Sequence, residues 1–270
     1  MSNQVVKKKK AIKPYHRIKA HANPASDYHF YYPVSPDQHD WSKNYPDIIK
    51  ADDEESKKKR VEIADVGCGY GGLTISLGTL FPETLCVGME LRDKVVQYVD
   101  ERIVKLREKT PGSYQNISVI RTNGMKYLPN YFHKGQLQKI FFLFPDPHFK
   151  KANHKRRIIS PTLLSEYAYI LAPGALAYFI SDVEELYLWM YEHFKNHPLF
   201  QQVERHVAES DPCVPLIINS SEEARKVNRI DGKKWYAVFR RIEDPATKDK
   251  SFVNYTLTSP KESTTTDASI

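Results

Sequence analysis

Between two apolar stretches the chain reads Gly67-Cys68-Gly69-Tyr70-Gly71-Gly72. Glycines at this density let the backbone turn tightly and come close to a ligand. What flanks them restricts the fold further. Val61 to Val66 is an apolar run of strand length, and Leu73 to about Leu80 reads as a helix that must stop before Pro82. A strand that enters a glycine turn and leaves it as a helix is the opening unit of a ligand-binding α/β sheet.

The rest of the chain repeats that alternation. Leu85 to Met89 reads as a second strand, closed by Glu90. A helix from Arg92 to about Lys109 follows, with Val95, Val99, Ile103 and Leu106 on one face, and Pro111-Gly112 ends it. Ile117 to Arg121 is a third strand, followed by Asn123. A fourth runs from Ile140 to Phe144, five apolar residues suited to burial on both faces, and stops at Pro145. Ser160 with Pro161 forms a helix start, and Leu163, Leu164, Tyr167, Ala168 and Leu171 form its core face. Pro173-Gly174 ends that helix ahead of a fifth strand, Ala175 to Ile180. After Asp182, Glu184 and Glu185 suit the first turn of a helix whose buried stripe is Leu186, Trp189, Met190 and Phe194. Phe200 to His206 and Trp235 to Arg240 read as a closing antiparallel pair. The expected fold is α/β, a doubly wound and mostly parallel sheet.

A length of 270 residues fits one such domain with extensions. Residues 1–13, with Lys7, Lys8, Lys9, Lys10 and Lys13, read as a disordered basic tail: a nuclear import signal, an electrostatic tether or simply a solvated end. Residues 14–60 form an arm and linker, whose Tyr28, Phe30, Tyr31 and Tyr32 are expected to pack onto the domain. The domain spans 61–243, and 244–270 is a polar, Thr- and Ser-rich tail expected to be disordered. The expected location is the nucleus, with the cytoplasm also open to it. A net charge of +7 favours an acidic partner such as nucleic acid or an anionic membrane surface. No apolar run reaches membrane-spanning length, and no apolar segment follows the N-terminal lysines as a secretory signal requires. Cys68, Cys86 and Cys213 are scattered and read as reduced thiols. The histidines show no ligand spacing, so no metal is expected.

Gly67, Gly69 and Gly72 satisfy G-x-G-x-x-G, and Glu90 ends the next strand where an acid can take ribose hydroxyls. To this point a nicotinamide-dependent oxidoreductase is an open reading. Three details favour another cofactor. Asp65 gives ADVGCGYGG, which resembles the first motif of S-adenosylmethionine-dependent methyltransferases. Asn123 follows the third strand where an adenine can be bonded. Pro145-Asp146-Pro147-His148 ends the fourth strand, where many amino-methyltransferases carry an Asp/Asn-Pro-Pro-aromatic site, and a dehydrogenase has no reason to place Pro-Asp-Pro there.

Directly beyond stand Lys150, Lys151, Lys155, Arg156 and Arg157 with no acid among them. Such a run is either a solvated face or a polyanion contact. With DVGCGYGG, GMELR, RTNGMKYLPNYF, FFLFPDPHFKKANHKRRIISP and SSEEARKV, the chain from about Tyr15 to Asp244 resembles the eukaryotic tRNA (guanine-N7-)-methyltransferases. The resemblance implies a Rossmann-like class I methyltransferase fold, S-adenosylmethionine as cofactor, tRNA as substrate and a WD-repeat β-propeller subunit as partner. It implies cofactor contacts from Gly67, Glu90, Leu91, Asn123, Gly124 and Leu143, with Ser221, Glu222 and Glu223 closing the site, and Asp146 as the carboxylate of the catalytic site. Gly124 stands where the family usually has alanine, and Ser221 where it has threonine. RNA contacts fall to Lys150, Lys151, His154, Lys155, Arg156 and Arg157, although Arg156 or Arg157 could instead buttress the loop of Asp146. A non-catalytic RNA-binding subunit of the same fold is the alternative, and it should have lost pocket residues that are present here.

Overall fold

Val61–Val66 (β1), Leu85–Glu90 (β2), Ile117–Arg121 (β3), Leu137–Leu143 (β4) and Leu171–Ser181 (β5) lie parallel in one sheet of the computed structural model, which describes residues 22–245. Phe200–Gln202 (β6) and Trp235–Arg241 (β7) complete the sheet, whose order is β3-β2-β1-β4-β5-β7-β6. β7 runs antiparallel to both β5 and β6. The tail expected over 1–13, the first part of the arm and nearly all of the C-terminal polar tail fall outside the described residues.

Successive strand residues point to opposite faces, so each strand feeds two cores. Ala64, Ile140 and Phe142 join one core, and Ile63 and Phe141 the other. The second core is roofed by Gly72–Leu80 (α2), Asp93–Lys109 (α3) and Cys213–Asn219 (α8), the first by Leu128–Tyr131 (α4), Pro161–Ile170 (α5) and Glu184–Lys195 (α6). Short helices at Glu54–Lys57 (α1), Arg205–Glu209 (α7) and Glu222–Arg229 (α9) complete the set. The expected face of α3 is buried at Val95, Val99 and Ile103, with Leu106 half-buried. Ser160 caps α5 by accepting from the Leu163 amide. On α6 Leu186, Met190 and Phe194 are buried, while Trp189 is half-buried and has another task.

The arm is part of the fold. Trp41, Tyr45 and Ile49 belong to the first core, and the Tyr45 hydroxyl donates to the Cys86 carbonyl on β2 at 2.8 Å. Tyr32 stacks on Tyr127, with ring centroids 3.9 Å apart.

Several boundaries and one strand pairing differ from the sequence expectation. β4 begins at Leu137, because that buried residue pairs with Leu171, and it ends at Leu143. Phe144 leaves the strand with φ +47°. α5 stops at Ile170, so Leu171 opens β5, and Pro173-Gly174 lies inside that strand. The register jumps there, from Leu137↔Leu171 to Lys139↔Leu176, and an irregularity of this kind tolerates proline. The strand expected over Phe200 to His206 is only three residues long, since Glu204 is the N-cap of α7. β7 pairs with β5 as well as β6, a long-range insertion that no local pattern announces.

Candidate active site

Gly67 and Gly69 take φ of +76° and +55°, the left-handed region that only glycine enters freely. The Gly67 amide donates to the Met89 carbonyl at 2.7 Å, which ties the turn to the end of β2. No atom stands within 4 Å of where a Cβ would sit on Gly67 or Gly69, so the turn leaves open space beside it. Gly72 is confined instead: a Cβ there would come within 2.3 Å of the Ser220 carbonyl.

A cleft of about 210 Å³ opens at the carboxyl ends of the central strands, the place where open α/β sheets bind ligands. Gly67, Glu90, Leu91, Asn123, Gly124, Leu143 and Asp146 all line it, together with Arg156 and His148. Residues from four separate strand ends are thereby brought to one place.

Glu90 is buried, and its Oε1 accepts from the Leu91 and Arg92 amides at 2.8 and 2.9 Å. Arg92 Nη2 adds an ion pair to Oε2 at 3.0 Å. Sequence reasoning missed Arg92, which also lines the cleft. The signal was present: Arg92 stands two residues beyond Glu90 in extended backbone, where alternate side chains share a side. Asn123 is nearly enclosed. Its Nδ2 donates to the Pro24 carbonyl of the arm at 2.7 Å, and its Oδ1 accepts from the Met125 amide at 3.0 Å. The arm therefore forms one wall of the cleft, which the sequence did not foretell. Gly124 is tighter than its place beside a loop suggests, because a Cβ would lie 2.6 Å from Val66 Cγ1.

Asp65 sits behind the glycine turn, 2% exposed, and accepts from Thr74 Oγ1 at 2.7 Å. Burial raises its pKa to about 7, against the lowering effect of the Thr74 bonds.

Asp146 stands between two prolines, with its side chain 30% exposed. The His148 amide donates to Asp146 Oδ1 at 3.2 Å. Phe144 and His148, on either side of the Pro-Asp-Pro segment, both carry positive φ, +47° and +46°. That is strained backbone for non-glycine residues.

The basic run divides in two. Lys150, Lys151 and Lys155 are exposed, His154 and Arg156 half-buried. Arg157 does not share the run's expected role, since its side chain is 1% exposed and cannot meet a phosphate. Glu185 and Trp189 of α6 hold it inside. Ser221, Glu222 and Glu223 do not line the cleft either. Ser221 caps α9 by accepting from the Ala224 amide, and Glu222 pairs with Arg102 at 2.9 Å against the glycine turn. Among the described residues no group of three or more His, Cys, Asp or Glu is arranged to hold a metal ion, and no helix is long and apolar enough to cross a membrane.

Residues 59–237 match the family profile described as "Putative methyltransferase". With the doubly wound sheet and the open glycine turn, this defines a methyltransferase of the doubly wound α/β class. A tRNA (guanine-N(7)-)-methyltransferase of Dictyostelium discoideum is 79% identical over 96% of this chain and 91% of its own. Enzymes with the same name from Brugia malayi and Arabidopsis thaliana are each 55% identical, over 86% and 85% of this chain and 88% and 91% of theirs. The chain belongs to the tRNA (guanine-N(7)-)-methyltransferase family. Among solved structures, the 16S rRNA methyltransferase KamB aligns at 15% identity and a TM-score of 0.47, over 69% of this chain and 90% of that one.

Proposed function

We propose that this chain transfers the methyl group of S-adenosylmethionine to N7 of a guanosine in the variable loop of tRNA. The observation that carries the reading is the shared cleft: Gly67, Glu90 and Asn123 line it together with Asp146, and exposed lysines stand directly beyond. The open space beside Gly67 and Gly69 and the strand-end acid Glu90 fit a nucleoside cofactor. When bound, that cofactor supplies a methyl group made electrophilic by a sulfonium.

The residues then have distinct tasks. Gly67 and Gly69 leave room for the methionine portion, which Leu143 borders from the end of β4, Glu90 takes ribose hydroxyls, and Leu91, Asn123 and Gly124 bound the adenine. Ser221, Glu222 and Glu223 serve from behind the glycine turn. Guanine N7 has a free lone pair at neutral pH, so the protein need not remove a proton to expose it. Its contribution is alignment, which can be worth roughly 7–11 kcal/mol, and electrostatics. The Asp146 side chain accepts hydrogen bonds from the guanine N1–H and amino group and favours the cation forming on the ring. Lys150, Lys151 and Lys155 hold RNA phosphates, which position the substrate without reading its sequence. Arg156, half-buried at the cleft, joins them from the inner side, with His154 beside it.

The test is direct. Incubated with tRNA and labelled cofactor, the protein yields 7-methylguanosine on digestion, and Asp146→Ala abolishes most of it while leaving tRNA binding intact. Label on another nucleoside, or full activity in Asp146→Ala, sinks the reading.

A WD-repeat propeller subunit is the partner we propose with it. The resemblance to the eukaryotic enzymes supports this. Co-expression followed by size-exclusion chromatography should give a one-to-one complex, and separate elution would count against it. The lysines of the N-terminal tail support nuclear import as its location, and removing residues 1–13 from a fluorescent fusion should shift it to the cytoplasm.

A further inference from the structure

We infer that Arg157 is a positioning residue: it locks the Pro-Asp-Pro loop onto α6 and thereby sets where Asp146 points. The inference rests on the proposed role of Asp146. A strained loop keeps its shape only when its surroundings over-determine it. On one side of Asp146, the Phe144 amide donates to the Ile180 carbonyl of β5 at 2.9 Å. On the other, Arg157 Nε donates to the Pro147 carbonyl at 2.9 Å. That carbonyl is one residue from Asp146, between it and the left-handed His148.

Arg157 is itself held from two further directions. Its Nη2 donates to Glu185 Oε1 at 2.8 Å, and its guanidinium lies 4.7 Å from the centre of the Trp189 ring. Trp189 is fixed in turn, its Nε1 donating to the Ile159 carbonyl at 2.8 Å. His154 packs edge-on against Trp189 at 5.2 Å, its Nε2 4.0 Å from Glu185. Arg157 Nη1 is buried and has no hydrogen-bond partner. A guanidinium enclosed in this way offers nothing to RNA. Its planar fork suits one carbonyl, one carboxylate and one aromatic face at once, a combination that an ammonium cannot reproduce.

Arg157→Lys separates this from a phosphate contact. The variant keeps the charge, so a phosphate contact would survive it. If Arg157 positions the loop, kcat falls about 100-fold, the scale of an ångström-level misplacement. KM for tRNA and the salt dependence of binding stay as in the wild type. Glu185→Gln, on a side chain 60% exposed, keeps the fold and lowers kcat about tenfold, since the Pro147 bond and the Trp189 stack remain. It decides the matter if Arg157→Lys does not fold. Amide hydrogen exchange of residues 146–149 is the readout that needs no turnover: in both variants it should accelerate by more than the exchange of the sheet core does. Unchanged kcat and exchange in both, or a loss confined to tRNA affinity and salt slope, overturns the inference. A wild-type protein that makes no 7-methylguanosine overturns the proposed function instead, and the exchange measurement still tests the clamp.

Discussion

The Thr74 hydroxyl donates to Asp65 Oδ2 at 2.7 Å in the closed interior behind the glycine turn. Burial outweighs this bond and lifts the Asp65 pKa from its ordinary 3.8 to about 7. The folded protein therefore keeps a proton that the unfolded chain has released, and stability falls as pH rises from about 4 to about 7, then levels. At about 1.4 kcal/mol per pH unit the full decline is on the order of 4 kcal/mol. Asp65→Asn should flatten that part of the profile in urea unfolding measured from pH 5 to 8. A decline of the same size in the variant would assign it to another group.

Arg102 Nη1 donates both to Glu222 Oε1 and to the Tyr70 carbonyl, at 2.9 and 2.8 Å, joining the start of α9 to the glycine turn. Arg102→Met frees both. Cofactor affinity measured by calorimetry should weaken about tenfold, or about 1.4 kcal/mol, with little change in tRNA affinity. Unchanged cofactor affinity would confine Arg102 to the outer surface.

Tyr45 anchors the arm from inside the protein, since its buried hydroxyl meets the Cys86 carbonyl on β2. Tyr45→Phe leaves that carbonyl one donor short at nearly unchanged volume. The expected loss is about 1–3 kcal/mol of unfolding free energy, read from the denaturant midpoint at constant slope. No loss would mean that the arm docks without this bond.

Lys150, Lys151 and Lys155 are the exposed members of the basic run. Replacing all three with Gln should lower the magnitude of the slope of log K against log salt for tRNA by roughly two to three. Adding Arg157→Lys should not lower it further. An unchanged slope in the triple variant would place the RNA elsewhere.

The elements legible in the chain are those whose cause is local. The four-residue spacing of Val95, Val99 and Ile103 announces α3, and Ser160-Pro161 announces the start of α5. Glycines 67 and 69 announce a left-handed turn because few other residues take that backbone. Glu90, Asn123 and Asp146 were legible as site residues because each follows a strand, and parallel strands deliver such positions to one edge. The helices α7, α8 and α9 were not read, since each has eight residues or fewer and Pro215 interrupts the apolar run of α8.

The sequence alone therefore determined the alternation of strand and helix, the glycine turn and the acid at the end of β4. All of these follow from dihedral preference and spacing among neighbours. Tertiary structure alone decided which cations face solvent, where β7 inserts and what backs the glycine turn. Arg157 looks like its neighbours Lys155 and Arg156 until α6 brings Glu185 and Trp189 to it. Burial of a guanidinium depends on partners supplied from far along the chain, and spacing within a basic run carries no record of them.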